Sequence, residues 1–156
     1  MFNSHHLSLI GTTFAQYLHL MVNGMSNIDE VNVLASMAGW AWPNALQDIF
    51  KPRGVNLMVA RDSAEFVDVI EQRRIHTAIV DMDTEKPNGL ATIKLIRLDY
   101  PRLPCIMLKD KSDDNVLTRA LELDVFGVVN KPVDMNILKF LLNRLFQKKY
   151  NSDIFA

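Results

Sequence analysis

Thr77-Ala78-Ile79-Val80-Asp81-Met82-Asp83-Thr84-Glu85-Lys86-Pro87-Asn88-Gly89-Leu90 is the stretch that decides the fold. Thr77 to Val80 is short and largely apolar, as expected of a buried parallel strand, and a carboxylate follows it directly. A polar turn comes next, and then Leu90, Ile93 and Ile96 recur at helical spacing. Strand, turn and amphipathic helix make one β–α unit, and the same unit recurs on both sides.

Upstream, Val31 to Ser36 and Val55 to Ala60 are strand candidates. Between them Pro43 suits the first residue of a helix with Ala45, Leu46, Ile49 and Phe50 on one face and Gly54 as its stop. Asp62-Ser63-Ala64-Glu65 reads as a capping box opening a helix that turns Phe66, Val67 and Ile70 inward. Downstream, Pro104 to Leu108 and Val125 to Val129 are the fourth and fifth strands. The helix between them carries Val116, Leu117, Ala120 and Leu121 behind Asp113 and Asp114, which suit its positive end. Asp134 caps a last helix whose buried stripe is Ile137, Leu138, Leu141, Leu142 and Leu145.

Five β–α units in series predict an α/β fold, a doubly wound parallel sheet with helices on both faces. In such sheets the functional crevice lies beyond the carboxyl ends of the strands. The places to look are therefore after Ser36, Val80, Leu108 and Val129.

The bulk numbers fit one domain over residues 30–149 of a 156-residue chain. Seventeen basic residues against eighteen acidic ones leave a net charge of -1, which offers no argument for nucleic acid or an anionic membrane as partner. Cys105 is the one cysteine, so an internal disulfide is excluded and a reduced, cytoplasmic setting is the simplest reading. It sits in an apolar run and reads as a small buried hydrophobe. Residues 1–29 form an extension, either an amphipathic helix carrying Leu7, Ile10, Phe14, Tyr17, Leu18 and Met21 or a start placed too far upstream. Their apolar part lacks a basic start, which argues against a secretory signal. His5 and His6 alone make a poor metal site. Residues 150–156 read as a flexible tail.

From Ala78 to about Lys148 the chain resembles the response-regulator receiver domain of two-component signalling, with weaker likeness before Val55. Asp81 ends the third strand and Gly89-Leu90 opens the next helix eight positions on. Lys131-Pro132 follows the fifth strand, preceded by Gly127-Val128-Val129-Asn130. The resemblance implies the flavodoxin-like strand order 2-1-3-4-5, Asp81 as the phosphoacceptor and Lys131 as the residue contacting the acyl phosphate. It also implies a magnesium ion held by an acidic pair after the first strand. Magnesium wants hard oxygen ligands, yet Met37 and Ala38 stand where that pair belongs, and no carboxylate follows until Asp48. Lys109 takes the place of the hydroxyl that follows the phosphate.

The resemblance thus points to a degenerate member, a pseudo-receiver that signals by binding a protein and is not an enzyme. Asp81 is then either a phosphoacceptor or a strand-end carboxylate paired with Lys131 or Lys109. Lys109 either supplies a fixed counter-charge beside Asp81 or points to solvent. Asp81 and Asp83 are the remaining candidate metal ligands, so no cofactor is expected beyond a weakly held magnesium. Trp40 and Trp42 either plug the crevice or pack. The expected partner is a histidine kinase or another signalling protein, docking on the face from about Asp113 to Lys148, and a homodimer is compatible with that. The alternatives are a working phosphorelay receiver phosphorylated on Asp81, and a flavin-binding or other enzyme on the same topology. Flavin binding is disfavoured because Met37-Ala38-Gly39-Trp40-Ala41-Trp42 offers no hydroxyl-rich phosphate loop.

Overall fold

A computed structural model describes residues 30–36, 42–83, 89–110 and 114–156. The expected helix within residues 1–29 and the positions of Met37, Ala38, Trp40 and Asp113 lie outside the described residues. So does the side chain of Trp42. The strands are β1 Val31–Ser36, β2 Val55–Ala60, β3 Thr77–Asp81, β4 Cys105–Asp110 and β5 Gly127–Lys131. The helices are α1 Trp42–Phe50, α2 Ser63–Gln72, α3 Gly89–Asp99, α4 Asp114–Glu122 and α5 Met135–Tyr150. All pairings are parallel and the sheet order is β2-β1-β3-β4-β5, as the resemblance implied.

Strict alternation along the strands sorts the core into two layers. Val33, Ala35, Ile79, Ile106, Leu108 and Val129 point to the face covered by α1 and α5, where Leu46, Phe50, Leu138, Leu142 and Leu145 meet them. Leu34, Ala78, Val80 and Met107 point the other way, onto Phe66 of α2, Ile93 and Ile96 of α3 and Ala120 of α4. Cys105 lies fully buried in this second layer, and burial pushes its thiol up to about 11.

Local signals behave as the sequence suggests, with small displacements. Asp62 caps α2 by accepting from the Glu65 amide at 2.8 Å, while Glu65 accepts from the Arg61 amide, one residue beyond the Asp62 amide that a full capping box would use. Helix α1 begins at Trp42, so Pro43 is its second residue, and a 3₁₀ turn over Lys51–Arg53 precedes Gly54 at φ 66°. β4 and β5 run two residues further than their apolar stretches. The ladder continues through Lys109↔Asn130 and Asp110↔Lys131, because backbone pairing does not need apolar side chains.

Three expectations are corrected. Ile137 is 53% exposed, since the inward stripe of α5 is centred on Leu138, Leu142, Leu145 and Phe146. On α4 only Ala120 is buried among the described side chains, and Leu117 and Leu121 face outward. Residues 150–156 are no loose tail. Asn151 takes a left-handed conformation and its amide and that of Ser152 cap α5. The chain then turns back and buries Phe155 against Phe50 and Phe146, with ring centroids 5.4 Å and 5.0 Å apart. Tyr150 lies half-buried and donates to the His76 carbonyl.

Candidate functional site at the strand ends

Asp81, the last residue of β3, is completely buried beyond the carboxyl end of the sheet. Its amide donates to Ser36 Oγ, 2.8 Å away at the end of the neighbouring β1. This buried hydroxyl closes β1, whose other polar residue, Asn32, lies near the opposite end. Its only sequence signal is a polar residue after the apolar run Val33-Leu34-Ala35, where the pattern predicts the end of the strand. The Asp83 amide folds back to Asp81 Oδ1 at 2.9 Å, an Asx turn that fixes the carboxylate from its own chain.

Lys131, the last residue of β5, reaches over β4 to the same carboxylate. Its Nζ lies 2.8 Å from Asp81 Oδ1, 3.0 Å from Asp81 Oδ2 and 2.7 Å from Asp83 Oδ2. The ammonium is thus clasped between two carboxylates. Burial opposes its charge, but the hydrogen bonds and attraction from Asp81 and Asp83 outweigh burial and raise the lysine above its ordinary value. The Lys131–Pro132 peptide bond is cis.

Gly89 opens α3 directly against this turn. A Cβ there would meet the Asp81 carbonyl oxygen and come within 2.8 Å of Met82 Cα. Both are backbone atoms that cannot step aside, so the spacing from Asp81 to Gly89 records a close approach of helix to strand end.

Lys109 is not part of the clasp. It is 5% exposed, its Nζ donates to the Asp110 carbonyl at 3.1 Å, and it makes no ion pair among the described residues. Neither sequence expectation, beside Asp81 or out in solvent, describes it. The pleat gives the reason. Asp81 pairs with Leu108 and Lys131 pairs with Asp110, so all four share one side of the sheet, while Lys109 falls on the other. The counter-ion of Asp81 is Lys131.

Among the described residues the donor set does not suit a magnesium ion. There Asp81 and Asp83 are the acidic groups held on Lys131, whose ammonium sits within 3.0 Å of both. Among the described residues no group of three His, Cys, Asp or Glu side chains stands close enough to hold a metal. In the sequence, the residues beyond β1 offer Met37 and Ala38, whose side chains have no oxygen. Among the described residues no helix is long and apolar enough to cross a membrane.

The family described as Response regulator receiver domain matches residues 42–143. Among curated relatives, an NtrX-like response regulator of Rickettsia bellii is 23% identical over 117 residues, 71% of this chain and 24% of the relative. The transcriptional regulatory protein ZraR of Escherichia coli K12 is 19% identical over 125 residues, 80% of this chain and 28% of the relative. The chain therefore spans about a quarter of the length of these relatives. Among solved structures, the signal receiver domain of an HD domain-containing protein from Pseudomonas fluorescens Pf-5 superposes with a TM-score of 0.69. It is 20% identical and covers 77% of this chain and 97% of its own. A CheY-like receiver domain protein from Methanospirillum hungatei superposes with a TM-score of 0.67 at 16% identity, covering 78% and 98%.

Proposed function

This chain belongs to the response-regulator receiver domain family, and we propose that it works there as a pseudo-receiver, signalling through a fixed protein-binding surface without an acyl-phosphate cycle. The observation that carries this is the clasp of Lys131 Nζ between Asp81 and Asp83. A carboxylate attacking phosphorus needs a divalent cation to neutralise the incoming oxygens. Here the acceptor position is neutralised by a covalently attached ammonium instead, and the acidic pair that would recruit the metal is replaced by Met37 and Ala38.

The clasp also ties the end of β5 to the end of β3, and α5 begins four residues after Lys131. A permanent charge pair there holds the α4–β5–α5 face in one arrangement. That face presents Leu117, Leu121, Ile137 and Phe140, exposed by 47, 79, 53 and 61%. Such outward apolar side chains suit a protein partner, a histidine kinase or another signalling protein.

The test is an amide NMR spectrum of the labelled chain, recorded before and after adding magnesium and a small phosphodonor. Resonances from residues 114–150 are expected to stay in place. Displacement of that set, lost in Asp81→Asn, would instead support a phosphorelay receiver switching through Asp81.

A further inference from the structure

The even charge of the whole chain conceals a local imbalance at the end of the sheet opposite the Asp81 site. Two cavities of about 620 and 890 Å³ lie there and share Pro101, Arg102, Leu103 and Lys149, so they form one groove with two lobes. Arg73 and Arg74 follow α2 on one side, Arg102 sits on the α3–β4 connection, and Arg144, Lys148 and Lys149 come from the last turns of α5. All six are exposed, and none has an ion-pair partner among the described residues. Arg144 does lie over the Phe140 ring, 5.9 Å from its centroid. Asp124 is the one carboxylate on the groove's described walls, with Glu71 and Asp99 in electrostatic reach of Tyr100.

The groove is braced from beneath. Arg97 donates from Nε to the Leu123 carbonyl at 2.8 Å, and from Nη1 to the carbonyls of Pro101 and Leu103 at 3.1 and 2.8 Å. It thereby fixes the connection that carries Arg102 and adds its own charge to the floor. A ligand entering here meets walls already in position, which lowers the ordering cost of binding. Between the cations the walls are aromatic: Tyr100 and Tyr150 in one lobe and Phe126 in the other are each only partly buried.

We infer that this groove binds nucleotides, with arginine and lysine taking the phosphates and an aromatic wall taking a base. Guanidinium groups match phosphate oxygens in pairs, and a positive channel interleaved with π surfaces is what a nucleotide chain needs. Each lobe has the volume of a small-ligand site. A purely acidic peptide would use the cations and leave the rings idle. A flat bilayer would touch only the rim. The inference is independent of the proposed pseudo-receiver role, since the site lies at the other end of the strands.

The experiment is fluorescence anisotropy of a labelled oligothymidylate titrated with the full chain. Saturable binding is expected, weakening steeply with added salt. The Arg102→Ala/Lys149→Ala variant, which removes two cations shared by both lobes, is expected to bind about tenfold or more weakly, each lost phosphate contact being a charge-assisted bond. Lys94→Ala, an exposed cation outside the groove, should bind as the parent does. Displacement of the probe by ATP would identify free nucleotides as the ligand source. Displacement only by unlabelled strands would identify single-stranded nucleic acid. Absence of binding, equal loss in Lys94→Ala, equal displacement by polyglutamate, or preferential binding to phosphatidylglycerol vesicles would overturn the inference.

Discussion

Lys131 places its Nζ 2.8 and 3.0 Å from the two carboxylate oxygens of Asp81, across the full width of the intervening strand β4. Asp81 has no exposure of its own, whereas the Lys131 side chain keeps 22% of its surface in water. The two ends of the pair therefore differ in what their loss leaves behind.

Removing the lysine leaves a buried carboxylate without this counter-ion, and that is the costly direction. Lys131→Met is expected to lower unfolding stability by about 1–3 kcal/mol, the scale for losing a hydrogen bond to a buried charged group. The Asp81→Asn/Lys131→Met double variant should lose less than the sum of its parts, which a double-mutant cycle in urea measures. The pH dependence has a definite sign. The folded lysine is raised above its ordinary value of 10.5, so its contribution is complete below 10.5 and is lost as pH rises through the higher folded value.

Gly89→Ala sets helix propensity against a backbone clash. Alanine gains up to ~1 kcal/mol in a helix interior, but its Cβ would fall on the Asp81 carbonyl and within 2.8 Å of Met82 Cα. Overpacking against atoms that cannot move costs about 1–3 kcal/mol. A net fall in Tm is expected, with the Asp81 and Asp83 amide resonances displaced.

His76 gives the fold an acid limit. It is buried at the amino end of β3, accepts from the Asn32 amide through Nδ1 at 3.1 Å, and leaves Nε2 without a hydrogen-bond partner among the described residues. Burial and then Arg74 push its pKa below the ordinary 6.5. The unfolded chain thus binds this proton first, and stability should fall as pH drops below about 6.5, flattening below the folded value. Denaturation midpoints of His76→Phe should lack that part of the slope.

Phe155 tests the corrected carboxyl terminus. Phe155→Ala is expected to cost about 3–5 kcal/mol, as for other buried phenylalanines, measured by chemical denaturation. A loose tail would show no change.

Much of this was legible in the sequence, and the exceptions have causes. The five β–α units and the two-layer core follow from short apolar runs alternating with helical stripes. The strand order comes instead from the family resemblance, as do the places of Asp81 and Lys131 at the ends of β3 and β5 and of Gly89 at the start of α3. The inward stripe of α5 was misjudged by one position at Ile137, because Leu138, Leu142, Leu145 and Phe146 make an equally good stripe and only packing chooses. Lys109 was misread because its role was inferred from strand position, whereas the pleat decides which side a residue faces. The docking of Phe155 was hidden behind Asn151-Ser152-Asp153, which look like fraying and in fact turn the chain back.

The most direct test of the central claim is an intact mass measured after incubation with magnesium and a small phosphodonor. The clasp of Lys131 between Asp81 and Asp83 predicts an unchanged mass. A gain of one phosphoryl group, abolished by Asp81→Asn, would contradict it.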